Sequence, residues 1–176
     1  MKRICLIIDG GYLAAVQNRL GYMDILKLKN LVEETYGPIS RGYYITSVNH
    51  ESQQSFYTWI RSSRGPKLEL IQKSQKSKIC DGCGKTTYVE KGVDVEIATT
   101  VIRNAHKDLY DVLVLINGDG DLVGALKYVR DDFGKDIVLL TDPDSTSVDL
   151  QEICSIHDSL VDVMPKIRRE INQQNQ

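Results

Sequence analysis

The sequence predicts an α/β fold: a mainly parallel sheet of about five or six strands, covered by helices on both faces. Three observations carry this. Short apolar runs alternate with segments whose apolar residues recur at helical spacing. Glycine and proline punctuate the junctions. The clearest strand candidates, residues 3–9 and 111–116, are nearly continuous apolar runs, as strands buried on both faces must be. With 176 residues, 41% hydrophobic and 26% charged, the chain has the size and composition of one globular domain. It can bury roughly 70% of its unfolded surface, so a core of this size needs no disulfide or structural metal.

Residues 3–9 form the first strand, closed by Gly10-Gly11. A helix follows over 12–20, where Leu13, Val16 and Leu20 share a face. Asp24 caps a second helix striped by Ile25, Leu28, Leu31 and Val32 and stopped by Gly37-Pro38. Aromatic and β-branched residues mark 39–48 as the next strand. Asn49 offers a cap for a helix carrying Phe56, Trp59 and Ile60, which the cluster at 62–66 ends. Residues 67–72 make a third strand. Periodicity then fails from 73 to 91, a polar, basic insertion read as a loop or small hairpin around Cys80-Asp81-Gly82-Cys83-Gly84. Val93, Ile97, Val101 and Ala105 restore helical spacing before the strand at 111–116. Leu122, Ala125, Leu126, Val129 and Phe133 make another helix, stopped by Gly134 and followed by a strand over 136–140. A last helix over about 147–156 and a short strand over about 160–164 complete the pattern. Residues 1–166 thus read as a single domain without internal repeat or linker, and 167–176 as a polar tail.

The longest apolar run, Ile4 to Ile8, is far short of the roughly 20 residues a membrane span needs, which predicts a cytoplasmic protein with reduced cysteines. The net charge of -2, from 22 basic and 24 acidic residues, argues on average against a nucleic-acid partner. The average conceals an asymmetry. Between Arg61 and Lys91 there are eight basic residues and three acidic ones, a balance of +5; the remaining 14 basic and 21 acidic residues give -7.

In a parallel sheet, ligands bind outside the carboxyl ends of the strands. Asp9 ends the first strand, Asp119 and Asp121 follow the strand at 111–116, and Asp94 opens the helix preceding it. Four carboxylates on one edge repel one another unless a hard divalent cation with oxygen ligands neutralises them, which points to Mg²⁺ or Mn²⁺. One or two such ions clamp a phosphodiester. Gly10, Gly11, Gly118 and Gly120 permit close approach by a bulky ligand. Each aspartate alone is more often just a turn or helix-capping residue. An EF-hand counted from Asn117 fails, because Leu122 stands where Gly is needed and Tyr128 where Glu is needed. Asp-Gly-Gly-Tyr after the first strand is not a dinucleotide fingerprint.

Three motifs, Ile7-Ile8-Asp9-Gly10-Gly11-Tyr12, Lys91-Gly92-Val93-Asp94-Val95 and Asn117-Gly118-Asp119-Gly120-Asp121-Leu122, resemble in this order those of NYN domain proteins of the LabA-like group. The resemblance spans residues 2–164. It implies a Rossmann-like, PIN-like three-layer α/β/α sandwich. It also implies a Mg²⁺- or Mn²⁺-dependent endoribonuclease in which Asp9, Asp94, Asp119 and Asp121 bind metal and carry catalysis. The family commonly has Asn at the position of Tyr12, and Ser or Thr followed later by Phe at the positions of Asn117 and Leu122. Asn117 still offers an amide, whereas Tyr12 removes one that would orient a metal water or a phosphate. The same residues also suit a non-catalytic RNA-binding regulatory module, or a Mg²⁺-dependent phosphatase or nucleotide-binding protein.

Under the RNA reading, Arg61, Arg64, Lys73, Lys76, Lys78 and Lys85 hold the backbone and Lys91, near Asp94 in sequence, acts at the scissile phosphate. Tyr12 and Asn117 contact substrate at the strand edge, and Tyr43, Tyr44, Tyr57 and Trp59 offer base stacking, although the helical partners of Trp59 suit it better to the core. The bland counterpart is a solvated basic loop. Cys80-x-x-Cys83-Gly84 is half of a zinc knuckle, which a second copy of the chain in a homodimer would complete; plain thiols or a redox pair are the alternatives. Cys5 and Cys154 fall on predicted core positions, and His50, His106 and His157 are unclustered and carry no assigned role.

Overall fold

The computed structural model describes residues 1–48, 53–79, 82–89 and 91–170. In chain order it runs β1 (Ile4–Asp9), α1 (Gly10–Leu20), α2 (Ile25–Tyr36), β2 (Ile39–Val48), α3 (Gln54–Arg61), β3 (Glu69–Ser74) and a hairpin of β4 (Lys76–Ile79) and β5 (Thr86–Val89). It continues with α4 (Val93–His106), β6 (Val112–Ile116), α5 (Val123–Phe133), β7 (Asp136–Thr141), α6 (Val148–Ile153), β8 (Ile156–Ser159) and α7 (Leu160–Ile167). The main sheet is six-stranded, in the order β3-β2-β1-β6-β7-β8, and every pairing in it is parallel.

The apolar runs of the central strands serve two cores at once because successive side chains point to opposite faces. Ile4, Leu6 and Ile8 join the apolar faces of α1, α2, α3 and α7 on one side. Cys5 and Ile7 join those of α4, α5 and α6 on the other, which makes three layers. The caps are local. Asp24 accepts from Leu26 N at 2.9 Å and Lys27 N at 3.1 Å to start α2, and Gly134 ends α5 in the left-handed conformation at φ 62°. Burial pushes the Cys5 thiol up to about 12, in keeping with a thiol that serves as a small hydrophobe.

One expectation changes. Residues 160–164 are the start of α7, not a strand: Ser159 Oγ accepts from Val161 N at 3.1 Å, and Leu160, Met164 and Ile167 bury one helical face. The strand lies just before them, at β8. Of the loop and hairpin readings of the insertion, the described residues give the hairpin: 76–79 pair antiparallel with 86–89, just after β3, which runs on to Ser74. Asn49 and residues 171–176 lie outside the described residues.

The chain lays down β1, β2 and β3 outward in one direction, then returns to place β6 beside β1 and builds β7 and β8 the other way. The reversal leaves a crevice at the carboxyl ends of β1 and β6, where ligands of open parallel sheets bind. No described helix is long and apolar enough to cross a membrane.

Candidate active site

Asp9 closes β1 and is 6% exposed. One carboxylate oxygen caps α1, accepting from Gly11 N at 2.8 Å and Tyr12 N at 3.1 Å. The other accepts from the side-chain amide of Asn117, the first residue after β6, at 2.7 Å. Asn117 is itself buried, and its Oδ1 accepts from Asp119 N at 2.5 Å. Asp119 Oδ1 in turn accepts from Asp121 N at 2.9 Å and starts a 3₁₀ turn, Gly120–Leu122. A relay of short side chains therefore fixes the ends of β1 and β6 against each other. Two glycines make it fit: a Cβ on Gly10 would lie 2.7 Å from Thr46 Oγ1, and one on Gly118 would lie 2.2 Å from the Ser145 carbonyl oxygen.

Asp9, Tyr12, Gly92, Val93, Asp94, Asn117 and Asp119 line one cleft of about 260 Å³ at this edge. Asp94 reaches it as the second residue of α4, after Gly92 turns the backbone at φ 82°. The cleft thus gathers three carboxylates from three separate segments, an all-oxygen donor set suited to a hard cation. Among the described residues, no three His, Cys, Asp or Glu side chains are grouped closely enough to grip a metal by themselves. Asp121 is exposed and is not among the lining residues. Behind the cleft, burial raises the Tyr44 hydroxyl above the ordinary phenol range, and the charges of Tyr57 and Asp9 add to the effect.

The sequence model of the NYN domain matches residues 3–160. The chain belongs to the NYN domain family. This is a PIN-like nuclease family, and the match includes all three motifs that line or flank the cleft. A crystal structure of a protein of unknown function from Vibrio parahaemolyticus is similar, with 18% identity and a TM-score of 0.69 over 90% of this chain and 93% of that chain. That likeness shows a shared fold. No curated protein matches.

Tyr12 stands where the sequence resemblance leads to an expected Asn. Its ring lines the cleft, but its hydroxyl accepts from Asp142 N at 3.0 Å and lies 3.1 Å from Ser145 Oγ. Tyr12 thereby ties α1 to the loop after β7. The same loop holds a residue that sequence patterns had not singled out. Asp142 directly follows β7, is 1% exposed, and forms an ion pair with Arg19 of α1. Its signal is the one that marks Asp9, a carboxylate directly after an apolar run.

The basic residues divide between the two edges of the sheet. Both ends of the β4–β5 hairpin join the carboxyl edge, so Lys91 is exposed beside Gly92 of the cleft. Lys73, at the end of β3, is 3.0 Å from Glu96 of α4. Lys76 and Lys78 stand on β4, paired with Val89 and Thr87, and Lys85 is exposed ahead of β5. Arg61 and Arg64 lie elsewhere: α3 runs back to the amino edge, where Leu68 N donates to Ile60 O at 2.9 Å just before β3. They are not brought to the cleft. Nor are the stacking candidates: Tyr43, Tyr44 and Tyr57 are buried, and Trp59 packs on Phe56 at 6.0 Å between ring centroids. Cys80 lies outside the described residues; Cys83 is exposed and unbridged.

Proposed function

We propose that this NYN domain is a metal-dependent endoribonuclease that hydrolyses RNA phosphodiester bonds at the cleft between β1 and β6. The observation that carries the reading is the meeting of Asp9, Asp94 and Asp119 in one cleft, at the switch point of a fold belonging to a PIN-like nuclease family. These three would hold Mg²⁺ or Mn²⁺, with Asp121 at the rim. A bound divalent cation supplies Lewis-acid activation of water and neutralises charge on the phosphodiester. The chain supplies the positioning. Asn117 and the α1 cap hold both oxygens of Asp9 in place, so the carboxylate enters the cleft already oriented. Lys91 and the hairpin bring cationic charge to the same edge, where it attracts the RNA backbone.

Labelled RNA incubated with Mn²⁺, with EDTA, and with Asp119→Asn protein tests this. Cleavage should require the metal and fall about 100-fold or more in the variant, the scale on which removing one stabilising group in an active site acts. Cleavage indifferent to both changes overturns the reading. A non-catalytic RNA-binding module is the second reading, favoured by Tyr12, whose hydroxyl is committed to the β7–α6 loop. RNA binding without turnover would select it.

A further inference from the structure

A second cavity, of about 400 Å³, opens beside the acidic cleft. The two share the first turn of α1: Asp9 and Tyr12 line the cleft, while Gly10 and Gly11 line the second cavity. Their chemistry differs. The described lining of the second cavity contains no Asp, Glu, Lys, Arg or His; it is made of amides, hydroxyls, aromatic rings and small residues. A phosphate placed there would be desolvated without a countercharge from those residues. A neutral, flat ligand with hydrogen-bonding edges matches it instead, and the volume lies within the range of about 300–1,000 Å³ usual for small-ligand sites.

The polar groups are partly organised already. Gln75 Nε2 donates to Ser47 Oγ at 3.2 Å, and Tyr57 donates to Gln53 Oε1 at 2.5 Å. These bonds anchor one end of each amide. Among the described residues, the other ends, Gln53 Nε2 and Gln75 Oε1, have no protein partner, so a donor and an acceptor remain for a ligand. Tyr22, 63% exposed, adds an aromatic ring to the wall, and Phe56 adds a second. Stacking on aromatic rings combined with hydrogen bonds to base edges is how proteins read single-stranded RNA.

We infer that this cavity seats one nucleobase of the RNA strand whose phosphate occupies the neighbouring cleft, giving the protein a base preference next to its cleavage position. The inference rests on the nuclease reading for the strand but needs no turnover. It can be tested in EDTA on Asp119→Asn protein, by fluorescence anisotropy with labelled adenine, cytosine, guanine and uracil ribo-homopolymers of about eight nucleotides. One base should bind about tenfold more tightly than the weakest, and Gln53→Ala and Gln75→Ala should each erase most of that margin. An abasic oligomer of equal length measures backbone binding, and the losses should be confined to oligomers that carry bases. Tyr22→Ala should weaken all four homopolymers about tenfold, with affinity retained in Tyr22→Phe. Homopolymers bound within about twofold of one another, a preference unmoved by both glutamine changes, or no binding at all overturns the inference. Base preference without metal-dependent cleavage by the unsubstituted protein would sink the nuclease reading alone. Metal-dependent cleavage without base preference would sink the subsite alone.

Discussion

Asn117 occupies a position that neither a carboxylate nor an apolar residue can fill: it donates to Asp9 through one end of its amide and accepts from Asp119 N through the other. Asn117→Asp would set two carboxylates against each other at the present 2.7 Å spacing. One of them would then hold a proton in the folded state, raising its folded value above the unfolded value of about 4. Stability from such a group is present at low pH and lost as pH rises through the raised value. The variant should therefore melt closer to the unsubstituted protein at pH 5 than at pH 8. At pH 8 the expected loss is about 2 kcal/mol, or roughly 4–8 °C. Circular dichroism melts at the two pH values check it, and equal losses at both would count against the Asp9–Asn117 bond. Asp9, Asp94 and Asp119 were legible because each follows an apolar run or opens a helix on the ligand-binding edge. Asp121 shares that pattern but spends its backbone on the cap of Asp119 and stays outside the cleft lining. Asp142 shares it too, yet its burial against Arg19 depends on how α1 lies beside the β7–α6 loop, which no local pattern encodes.

Helices with one clean stripe and strands with continuous apolar runs were readable from periodicity, and β2 and α4 begin at the residues that periodicity selects. The segment from Leu160 was not. Its run of Leu, Val, Val and Met reads as strand, and Pro165 argues against helix, but the Ser159 cap and the shared burial of Leu160, Met164 and Ile167 outweigh both. Among the described residues the β4–β5 hairpin pairs only with itself, forming a separate two-stranded sheet. Replacing residues 76–89 with a short Gly-Ser linker should leave the melting temperature within a few degrees. It should also weaken RNA binding and flatten its salt dependence by about 0.7 in log–log slope for each phosphate that the hairpin no longer neutralises. An unchanged slope would remove the hairpin from the RNA-binding surface.

Taken as one body, the protein carries different chemistry at its two sheet edges. The amino edge is stapled by ion pairs: Arg3 reaches Asp111 at 2.7 Å and Asp108 at 3.2 Å, and Lys135 reaches Asp108 at 2.6 Å. Hydrogen bonds from the Arg3 side chain and backbone hold the Asp111 carboxyl well below the ordinary range; Lys135 first, then Arg3, lowers that of Asp108. Depressed carboxyl values stabilise the fold above the unfolded value of about 3.9, and that contribution is lost as pH falls through the folded value. Urea midpoints should thus drop between pH 7 and pH 3, and drop less in Arg3→Gln; an equal drop in both would clear this cluster of the effect. Strand order itself was not legible, because nothing in the apolar run of β6 says that it returns to the side of β1. That return has a consequence during synthesis. Asp9 is made well before its partner Asn117, which lies 108 positions later, and Asp94 comes between them. A half-translated domain therefore holds no assembled cleft, and whatever chemistry the cleft performs has to wait until β6 and Asn117 have left the ribosome.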